Sequence, residues 1–407
     1  MEELFDGFDI DYSVKDKDLA PINCIVLESN VVKDEYTRYV EEAFDLEVGE
    51  KNVVEIPNKL FLDNMGDWNI GVVCGSSGSG KTTILKHLGN GDIDDATFDN
   101  SKGVISNFTN LTPKEATHLC SSMGLCEVRA WIRPFKALSN GQQYRAKLAK
   151  IVNDSKSEII LVDEFTSVVD RDVAKAMSNA LQKYIRNNNK KIILATCHYD
   201  IFEWLRPDWI YDLNKGGALE KCDYLRQPKP KIHLQVFRTT CDTWERFKKY
   251  HYMSENLNKS SSSFVFTWND KVVAYYSAMQ MPSGTIKNAW RGHRCVVLPD
   301  FQGLGIGSKI SEFIGGILLS VGRTLYTKTV NPALGEYRQK SDKWKGTPRN
   351  MKGMSEEDFL MNKLGGKTRV SYCHKYVGEP IYGFEHLLKK MDDLVEDKNN
   401  ENQLTLL

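Results

Sequence analysis

Apolar and polar residues alternate in blocks along the first half of the chain. Short apolar runs rich in Val, Ile and Leu occupy residues 71–75, 158–165 and 191–197, and longer stretches with helix-like spacing separate them. Alternation of strand-like and helix-like segments is typical of an α/β sheet covered by helices. The pattern therefore predicts an α/β domain over residues 22–215, preceded by an appendage at 1–21.

The pattern changes after residue 215. Residues 216–231 combine a Gly-Gly pair, two prolines and several charges, which predicts a linker. Two apolar runs then flank Asn269 and Asp270, as expected of a β-hairpin. A later strand, a glycine turn and an apolar helix complete a second, mixed α/β domain at 232–385. Residues 386–407 are predicted to form a C-terminal helix and a flexible polar tail.

Composition narrows the class of protein. Lys plus Arg (54) equals Asp plus Glu (54), so the whole chain has no field that attracts nucleic acid or an anionic membrane. No apolar run approaches the roughly 20 residues that span a bilayer, and the acidic N-terminus lacks a signal-peptide core. The nine cysteines form no CxxC pair, which indicates reduced core thiols. We expect a cytoplasmic protein without membrane contact.

Residues 75–82 fit the phosphate-loop pattern G-x-x-x-x-G-K-[ST]. Glycines let backbone N–H groups close around a β-phosphate, and the following helix directs its positive end there. The lysine then bridges two phosphates, and the threonine hydroxyl binds Mg²⁺. The predicted ATP-binding residues here are Gly75, Ser76, Ser77, Gly78, Ser79, Gly80, Lys81, Thr82 and Thr83.

The apolar run at 158–165 ends in two carboxylates. Asp163 is expected to join Thr82 in the Mg²⁺ shell, and Glu164 to polarise the attacking water. Taken alone, the run fits equally well a buried strand that ends in two solvated acids.

Three further motifs follow in a fixed order: LSNGQ at 138–142, TSVVD at 166–170, and His198 directly after a strand. With the phosphate loop and the two carboxylates, they resemble the ATP-binding cassette (ABC) ATPase family over residues 22–215. The resemblance implies a P-loop NTPase fold and a head-to-tail homodimer closed by two ATP molecules. It also implies contacts to the partner's γ-phosphate from the signature motif, a γ-phosphate contact from His198 and coupling of the two sites through Asp170. The signature residues concerned are Ser139, Gly141 and Gln142.

The chain departs from transport cassettes in one respect. Those cassettes carry a glutamine between the phosphate loop and the signature motif, whereas this chain offers only Asn107 and Asn110 there. The absence of this glutamine argues against the interpretation that the chain is the motor of a transporter.

Phe61 and Trp68 are candidates for stacking on adenine, and each also fits a core position.

A second phosphate motif lies in the C-terminal half. Gln302-x-x-Gly305-x-Gly307 falls between a strand and an apolar helix, so helix N–H groups could face a pyrophosphate. Residues 232–385 resemble the GNAT acetyltransferase superfamily in this motif and in strand and helix order, which implies an acetyl-CoA site. The implied coenzyme contacts are Val296, Val297, Leu298, Gln302, Gly303, Leu304, Gly305, Ile306, Gly307 and Ser308.

The same resemblance suggests catalytic residues in the C-terminal half. Tyr337 would protonate the departing thiolate, with Asn331 orienting the acetyl arm. Tyr372 and Tyr376 compete for the acid role, and His293 is a candidate general base. Each tyrosine also fits a packed core aromatic.

The stretch 337–352 carries six Lys or Arg, one Asp and one Trp. Such a stretch suits contact with a nucleic acid, with structured RNA as the leading class, and equally a solvated loop.

Two functions follow from the sequence. The first is an acetyltransferase acting on a macromolecule and gated by ATP-driven dimerisation. The second is an ATP-dependent clamp or binding protein with a GNAT-like module that does not turn over.

Overall fold

The computed structural model describes residues 24–30, 32–45, 51–58, 62, 66–89, 93–251, 256–284, 286–351, 371–389 and 403–406. Two large sheets organise these residues. We call the described residues 24–221 the N-terminal unit, and those of 232–389 and 403–406 the C-terminal unit.

The N-terminal unit is built on a mostly parallel five-stranded sheet in the order β4-β5-β3-β6-β7. Only β7 runs antiparallel to its neighbour. A separate antiparallel pair, β1–β2, precedes this sheet. The strands are β1 (Cys24–Asn30), β2 (Lys51–Pro57), β3 (Ile70–Cys74), β4 (Ile159–Val162), β5 (Lys191–Thr196), β6 (Trp209–Asp212) and β7 (Ala218–Lys221).

Helices cover the five-stranded sheet. Apolar residues from both layers make the core, with all five residues of β3 buried. Helix α1 (Glu35–Phe44) buries none of its residues and lies outside this core. The other helices of the unit are α2 (Lys81–Leu88), α3 (Pro113–Ser122), α4 (Val128–Trp131), α5 (Asn140–Asp154), α6 (Arg171–Asn187) and α7 (Phe202–Leu205).

The C-terminal unit is built on an eight-stranded sheet in the order β13-β14-β12-β11-β10-β9-β8-β15. All its pairs are antiparallel except β11–β12. Its strands are β8 (Ile232–Thr239), β9 (Ser262–Trp268), β10 (Lys271–Gln280), β11 (Ala289–Val297), β12 (Thr324–Thr329), β13 (Trp344–Gly346), β14 (Tyr372–Tyr376) and β15 (Gln403–Leu406). Two helices, α8 (Ile306–Ser320) and α9 (Pro332–Lys340), accompany it.

The predicted hairpin is present between β9 and β10. Asn269 and Asp270 form its two-residue turn, with φ values of 48° and 61°. Asn and Asp tolerate this left-handed region, which the twist of a two-residue hairpin requires.

Two sequence predictions need correction. Residues 218–221 of the predicted linker form β7, because their backbone extends the first sheet beside β6. Residues 403–406 of the predicted tail form β15, whose backbone pairs with β8 at the end of the second sheet. Pairing satisfies N–H and C=O groups that an edge strand leaves open, and so favours order over a free tail.

The two units pack directly against each other. Ala176 of α6 and Trp204 of α7 are buried within the apolar cluster formed mainly by the second sheet and α8. The ring of Trp204 meets that of Trp268 edge to face, with centroids 6.1 Å apart. The units therefore share part of one core.

Within the part of the chain that the structure describes, no helix is long and apolar enough to cross a membrane.

Gly71 in the central strand β3 is required by a close approach. A Cβ atom there would lie 2.0 Å from the ring of Trp209 on β6. We expect Gly71→Ala to lower the free energy of unfolding by about 1–3 kcal/mol, because the buried indole has to shift within a packed core. Urea denaturation followed by circular dichroism measures this. Gly284→Ala is the matched control, since a Cβ there meets nothing within 4 Å; equal losses in the two variants would contradict the explanation.

Candidate functional site

The phosphate loop joins β3 to α2. Gly80 precedes α2 with φ 95° and caps it without any side-chain hydrogen bond. The first N–H groups of the helix thus have no side-chain acceptor, which leaves them to an anion. The Lys81 ammonium spans the loop and donates to the carbonyl oxygens of Gly75 (3.0 Å) and Ser76 (2.6 Å). This geometry is that of a phosphate cradle.

A hydrogen-bonded chain behind the loop fixes its conformation. The Asn214 side-chain oxygen accepts from the N–H of Ser76 at 2.9 Å, and its amide donates to the Tyr199 hydroxyl at 3.0 Å. Tyr199 in turn donates to Asp212 at 3.0 Å. Sequence reasoning missed these three residues because they belong to no motif and meet only through the sheet.

The two predicted Mg²⁺ ligands lie together. Thr82 Oγ1 donates to Asp163 Oδ2 at 2.7 Å, although β5 separates the strands that precede them. Asp163 is thus a half-buried acid at the end of β4 whose carboxylate is held by Thr82. A hydroxyl and a carboxylate oxygen are hard ligands of the kind Mg²⁺ prefers. Glu164 is exposed beside them, with φ 50°.

The segment after Glu164 is strained and tied to His198. Thr166 is fully buried with φ 69°, which is rare for a β-branched residue. Its hydroxyl lies 3.1 Å from His198 Nδ1. Burial, with repulsion from Arg171, lowers the pKa of His198 and so favours the neutral ring. Strain of this kind concentrates at functional sites.

The signature motif begins α5. Ser139 caps the helix in a reciprocal capping box with Gln142. Ser139 and Asn140 are exposed, whereas Gln142 is buried and its amide donates to Glu127 Oε2 at 2.6 Å. The side chain of Gln142 is thus committed inside the unit. Ser139 and Gly141 remain as the residues for the predicted contact to a partner's phosphate.

Other sequence candidates in this unit lie in structural positions. Asn107 binds the backbone of Asp99 and Gly103, and Asn110 binds Asn153, so neither amide belongs to the phosphate site. Trp68 is buried with its ring edge to face against Trp209, and it has no open face for adenine. Phe61 lies outside the described residues.

In the C-terminal unit, parallel strands β11 and β12 separate partway along their length. They pair only at Ala289–Arg291 with Thr324–Tyr326, while β11 continues to Val297 beside β10. A register shift opposite Ser277 leaves His293 as the extra residue of β11. Beyond Arg291, the edge of β11 that faces β12 pairs with no strand among the described residues. Such an edge offers backbone groups to an extended ligand.

Helix α8, which follows β11, begins in the same way as α2 does after the phosphate loop. Gly305 precedes α8 with φ 85°, again without a side-chain cap. Gln302 braces the turn by donating to the Val297 carbonyl at 2.9 Å. A cavity of about 680 Å³ lies between the strand split and this helix start.

Eight of the ten predicted coenzyme residues line the cavity: Val296, Val297, Gln302, Gly303, Gly305, Ile306, Gly307 and Ser308. Leu298 does not line it, and its N–H already donates to the Val273 carbonyl at 2.9 Å. Leu304 is buried in the apolar core instead. These two expectations fail because alternate residues of an extended or turning backbone face opposite sides.

Tyr337 and Asn331 also line the cavity. The Tyr337 hydroxyl donates to the Glu312 carboxylate, and burial together with that carboxylate raises the tyrosine pKa. Asn331 caps α9 by accepting from Leu334 N–H at 3.1 Å. The rival tyrosines, Tyr372 and Tyr376, lie outside the cavity lining and pack against glycines of α9 and α8.

His293 is poorly suited to be a general base. Its Nε2 accepts the N–H of Asn258 at 3.1 Å, and its Nδ1 lies 3.4 Å from the Arg294 guanidinium. Burial, with repulsion from Arg294 and Arg291, lowers its pKa to about 4. His293 lines the cavity, and so does a pair that sequence reasoning missed, His118 Nε2 and Glu336 Oε2 at 3.0 Å. One residue comes from each unit, so no linear motif could reveal the pair.

In the basic stretch 337–352, the one tryptophan is not available to bind a nucleic acid. Trp344 is buried against Tyr376, and the Arg338 guanidinium lies over its ring, 4.5 Å from the centroid. Arg338 is itself buried and donates to Thr327 and Ser311. The prediction that this tryptophan could stack on a nucleic-acid base is therefore wrong.

The N-terminal unit touches the predicted pyrophosphate loop directly. Cys126 N–H donates to Gln302 Oε1 at 3.1 Å, and Asn179 of α6 donates to the Gly303 carbonyl at 2.8 Å. Arg145, on the signature helix α5, donates to the Pro299 carbonyl at 2.5 Å. Helix α6 thus contacts the loop, and helix α5 contacts the turn that leads into it.

Comparisons with known proteins found similar proteins for each half of the chain. Residues 198–314 match the model of the Acetyltransferase (GNAT) family, and no curated protein matches the chain. The dimeric cassette of a bacterial ABC transporter aligns with 42% of this chain and 92% of its own, at 18% identity and a TM-score of 0.34. A Bacillus subtilis acetyltransferase in complex with CoA aligns with 36% of this chain and 97% of its own, at 10% identity and a TM-score of 0.26. The ribosomal-protein-S18-alanine N-acetyltransferase of Escherichia coli aligns with 37% and 99%, at 15% identity and a TM-score of 0.26.

The chain combines an N-terminal part similar to ABC ATPase cassettes with a C-terminal part similar to GNAT acetyltransferases. The family match begins at 198, upstream of the domain start predicted at 232, and so includes β6 and β7 of the first sheet.

The lowered pKa of His293 makes a prediction about stability and pH. Between about pH 4 and its ordinary value of 6.5, the unfolded chain binds a proton there that the folded protein does not. Stability from this residue is therefore complete above pH 6.5 and falls as the pH drops towards 4. We expect wild type to lose melting temperature faster than His293→Gln over this window. Parallel curves for the two proteins would contradict the assignment.

Proposed function

We propose that the protein is a cytoplasmic, ATP-hydrolysing acetyltransferase. In this proposal two copies close head to tail around two ATP molecules with Mg²⁺, and each transfers the acetyl group of acetyl-CoA to an amine of a macromolecule. The observation that carries it is the split between β11 and β12, which opens onto a cavity ending at the uncapped start of α8.

On the acetyl side, the acceptor nitrogen attacks the thioester carbon, the C–S bond breaks, and the amine loses a proton. The free edge of β11 would hold the pantetheine arm. Tyr337 would deliver its proton to the departing thiolate, and the His118–Glu336 pair would accept the amine proton. The position of Tyr337 in the cavity lining supports this role.

On the ATP side, Lys81 and the N–H groups of α2 would bind the phosphates, and Thr82 with Asp163 would hold Mg²⁺. Glu164 would orient the attacking water, and His198 would contact the γ-phosphate. Ser139 is exposed at the start of α5, where it is available to a second copy.

Helix α6 supports the proposed gating. Asp170, the last residue of TSVVD, caps it by accepting from the N–H groups of Asp172 and Val173. Asn179, about 14 Å further along the axis, binds Gly303. A helix moves as a stiff body, so displacement of Asp170 on dimer closure would reach the pyrophosphate loop.

A clamp without acetyl transfer is the second candidate. The observation that favours it is the bond from Tyr337 to Glu312, which occupies the hydroxyl of the proposed acid. Which macromolecule accepts the acetyl group is a separate question. The experiment below can give either RNA or protein as the answer.

We expect labelled acetyl-CoA to modify a macromolecule in fractionated cell extract only when ATP is present. Label in the RNA fraction would support the RNA assignment, and label in protein would replace it. ATP hydrolysis without label in any fraction would favour the clamp.

Glu164→Gln should bind ATP but hydrolyse it at least about 100-fold more slowly, because the residue that orients water is lost. Size-exclusion chromatography with light scattering should then show an ATP-dependent dimer. A monomer at saturating ATP would contradict the closed-dimer proposal.

Asn179→Ala tests the coupling. We expect ATP hydrolysis to remain near wild type while ATP stimulates acetyl transfer less, because the bond to Gly303 is gone. Asn153→Ala is the control, since that amide binds Asn110 and Asp154 away from both sites. Full ATP stimulation in Asn179→Ala would refute a role for this contact.

A further inference from the structure

Helix α6 contributes one stripe of residues to the coenzyme cavity. Ala176, Asn179 and Ala180 lie against Gly303, where an added Cβ would sit 3.1 Å from both alanines. Lys183 follows at the i+4 position from Asn179 and therefore shares this face. With the next residue, Tyr184, it lines the cavity. An ATPase helix thus forms a wall of the proposed acetyl-CoA site.

Lys183 is a cation without a counter-ion. No hydrogen bond or ion pair involves its ammonium among the residues that the structure describes. Desolvation by the surrounding protein, with repulsion from Lys229, lowers the pKa of Lys183 to about 8, although part of the side chain is exposed. A nearby anion would remove that penalty on the charged form.

We propose that Lys183 binds a phosphate group of the coenzyme, so that the acetyl-CoA site is completed by the ATPase half of the chain. This inference rests on the proposed acetyl-CoA-binding function. It adds a ligand-binding residue outside both phosphate motifs.

The position of Lys183 favours the phosphate end of the coenzyme over its thioester end. One helical turn, about 6 Å along the axis, separates it from Asn179, which binds the loop predicted to hold the pyrophosphate. The thioester would lie at the other end, near the split between β11 and β12. Coenzyme A offers two kinds of phosphate there, the pyrophosphate and the ribose 3′-phosphate.

The experiment is isothermal titration calorimetry of the full chain with CoA and with dephospho-CoA, which lacks the 3′-phosphate. We expect Lys183→Gln to bind CoA about tenfold more weakly than wild type, and Lys183→Arg to stay within about threefold, because the guanidinium keeps the charge and binds phosphate. Lys156→Gln makes the same charge change at an exposed residue outside the cavity and should bind as wild type does.

Binding of dephospho-CoA shows which of the two kinds of phosphate Lys183 contacts. If Lys183 contacts the 3′-phosphate, the Gln variant and wild type bind dephospho-CoA equally; if it contacts the pyrophosphate, the tenfold difference persists. Equal binding of CoA by wild type and Lys183→Gln would overturn this inference and leave the proposed function intact. No binding of CoA by wild type would overturn both.

Discussion

The packing of α6 against Gly303 is the contact on which the arrangement of this protein depends. It places the backbone of the predicted pyrophosphate loop directly on a helix whose first residue follows an ATPase motif. Gly303 has φ 95°, and a side chain there would press on the backbone of Ala176. Only glycine meets both demands, the left-handed backbone and the close approach. Together with the hydrogen bonds from Cys126 to Gln302 and from Arg145 to Pro299, this contact holds the predicted pyrophosphate loop against the ATPase-like half.

Each half of the chain has a helix whose first N–H groups are left open to an anion. In each, a glycine in left-handed conformation starts a helix, and no side chain caps the exposed N–H groups. A capping Ser or Asp would satisfy those groups and compete with a phosphate. Elsewhere the chain uses side-chain caps freely, as at Thr112 and Ser139. Among the described helices of eight or more residues, only α2 and α8 lack a side-chain cap, and these are the two places where an anion is expected.

Local sequence predicted those features that depend on neighbouring residues. The phosphate loop, the hairpin at Asn269 and the predicted pyrophosphate loop are short motifs whose backbone geometry follows from glycine, Asn and Asp. The structure has the expected backbone conformation at each of them. Features that depend on distant residues were not predicted. Lys183, the His118–Glu336 pair and the chain from Asn214 to Asp212 arise from packing between elements far apart in sequence. Trp344 was misjudged for the same reason, since a basic stretch does not reveal which of its side chains turn inward.

The burial of Ala176 and Trp204 in the second core limits how the chain can be divided. A cut at residue 231 would leave each half with an apolar surface that the other normally covers, including the paired indoles of Trp204 and Trp268. Such halves would be prone to aggregate when expressed separately. The two folds are thus physically interdependent, and a substitution in their shared core would destabilise both.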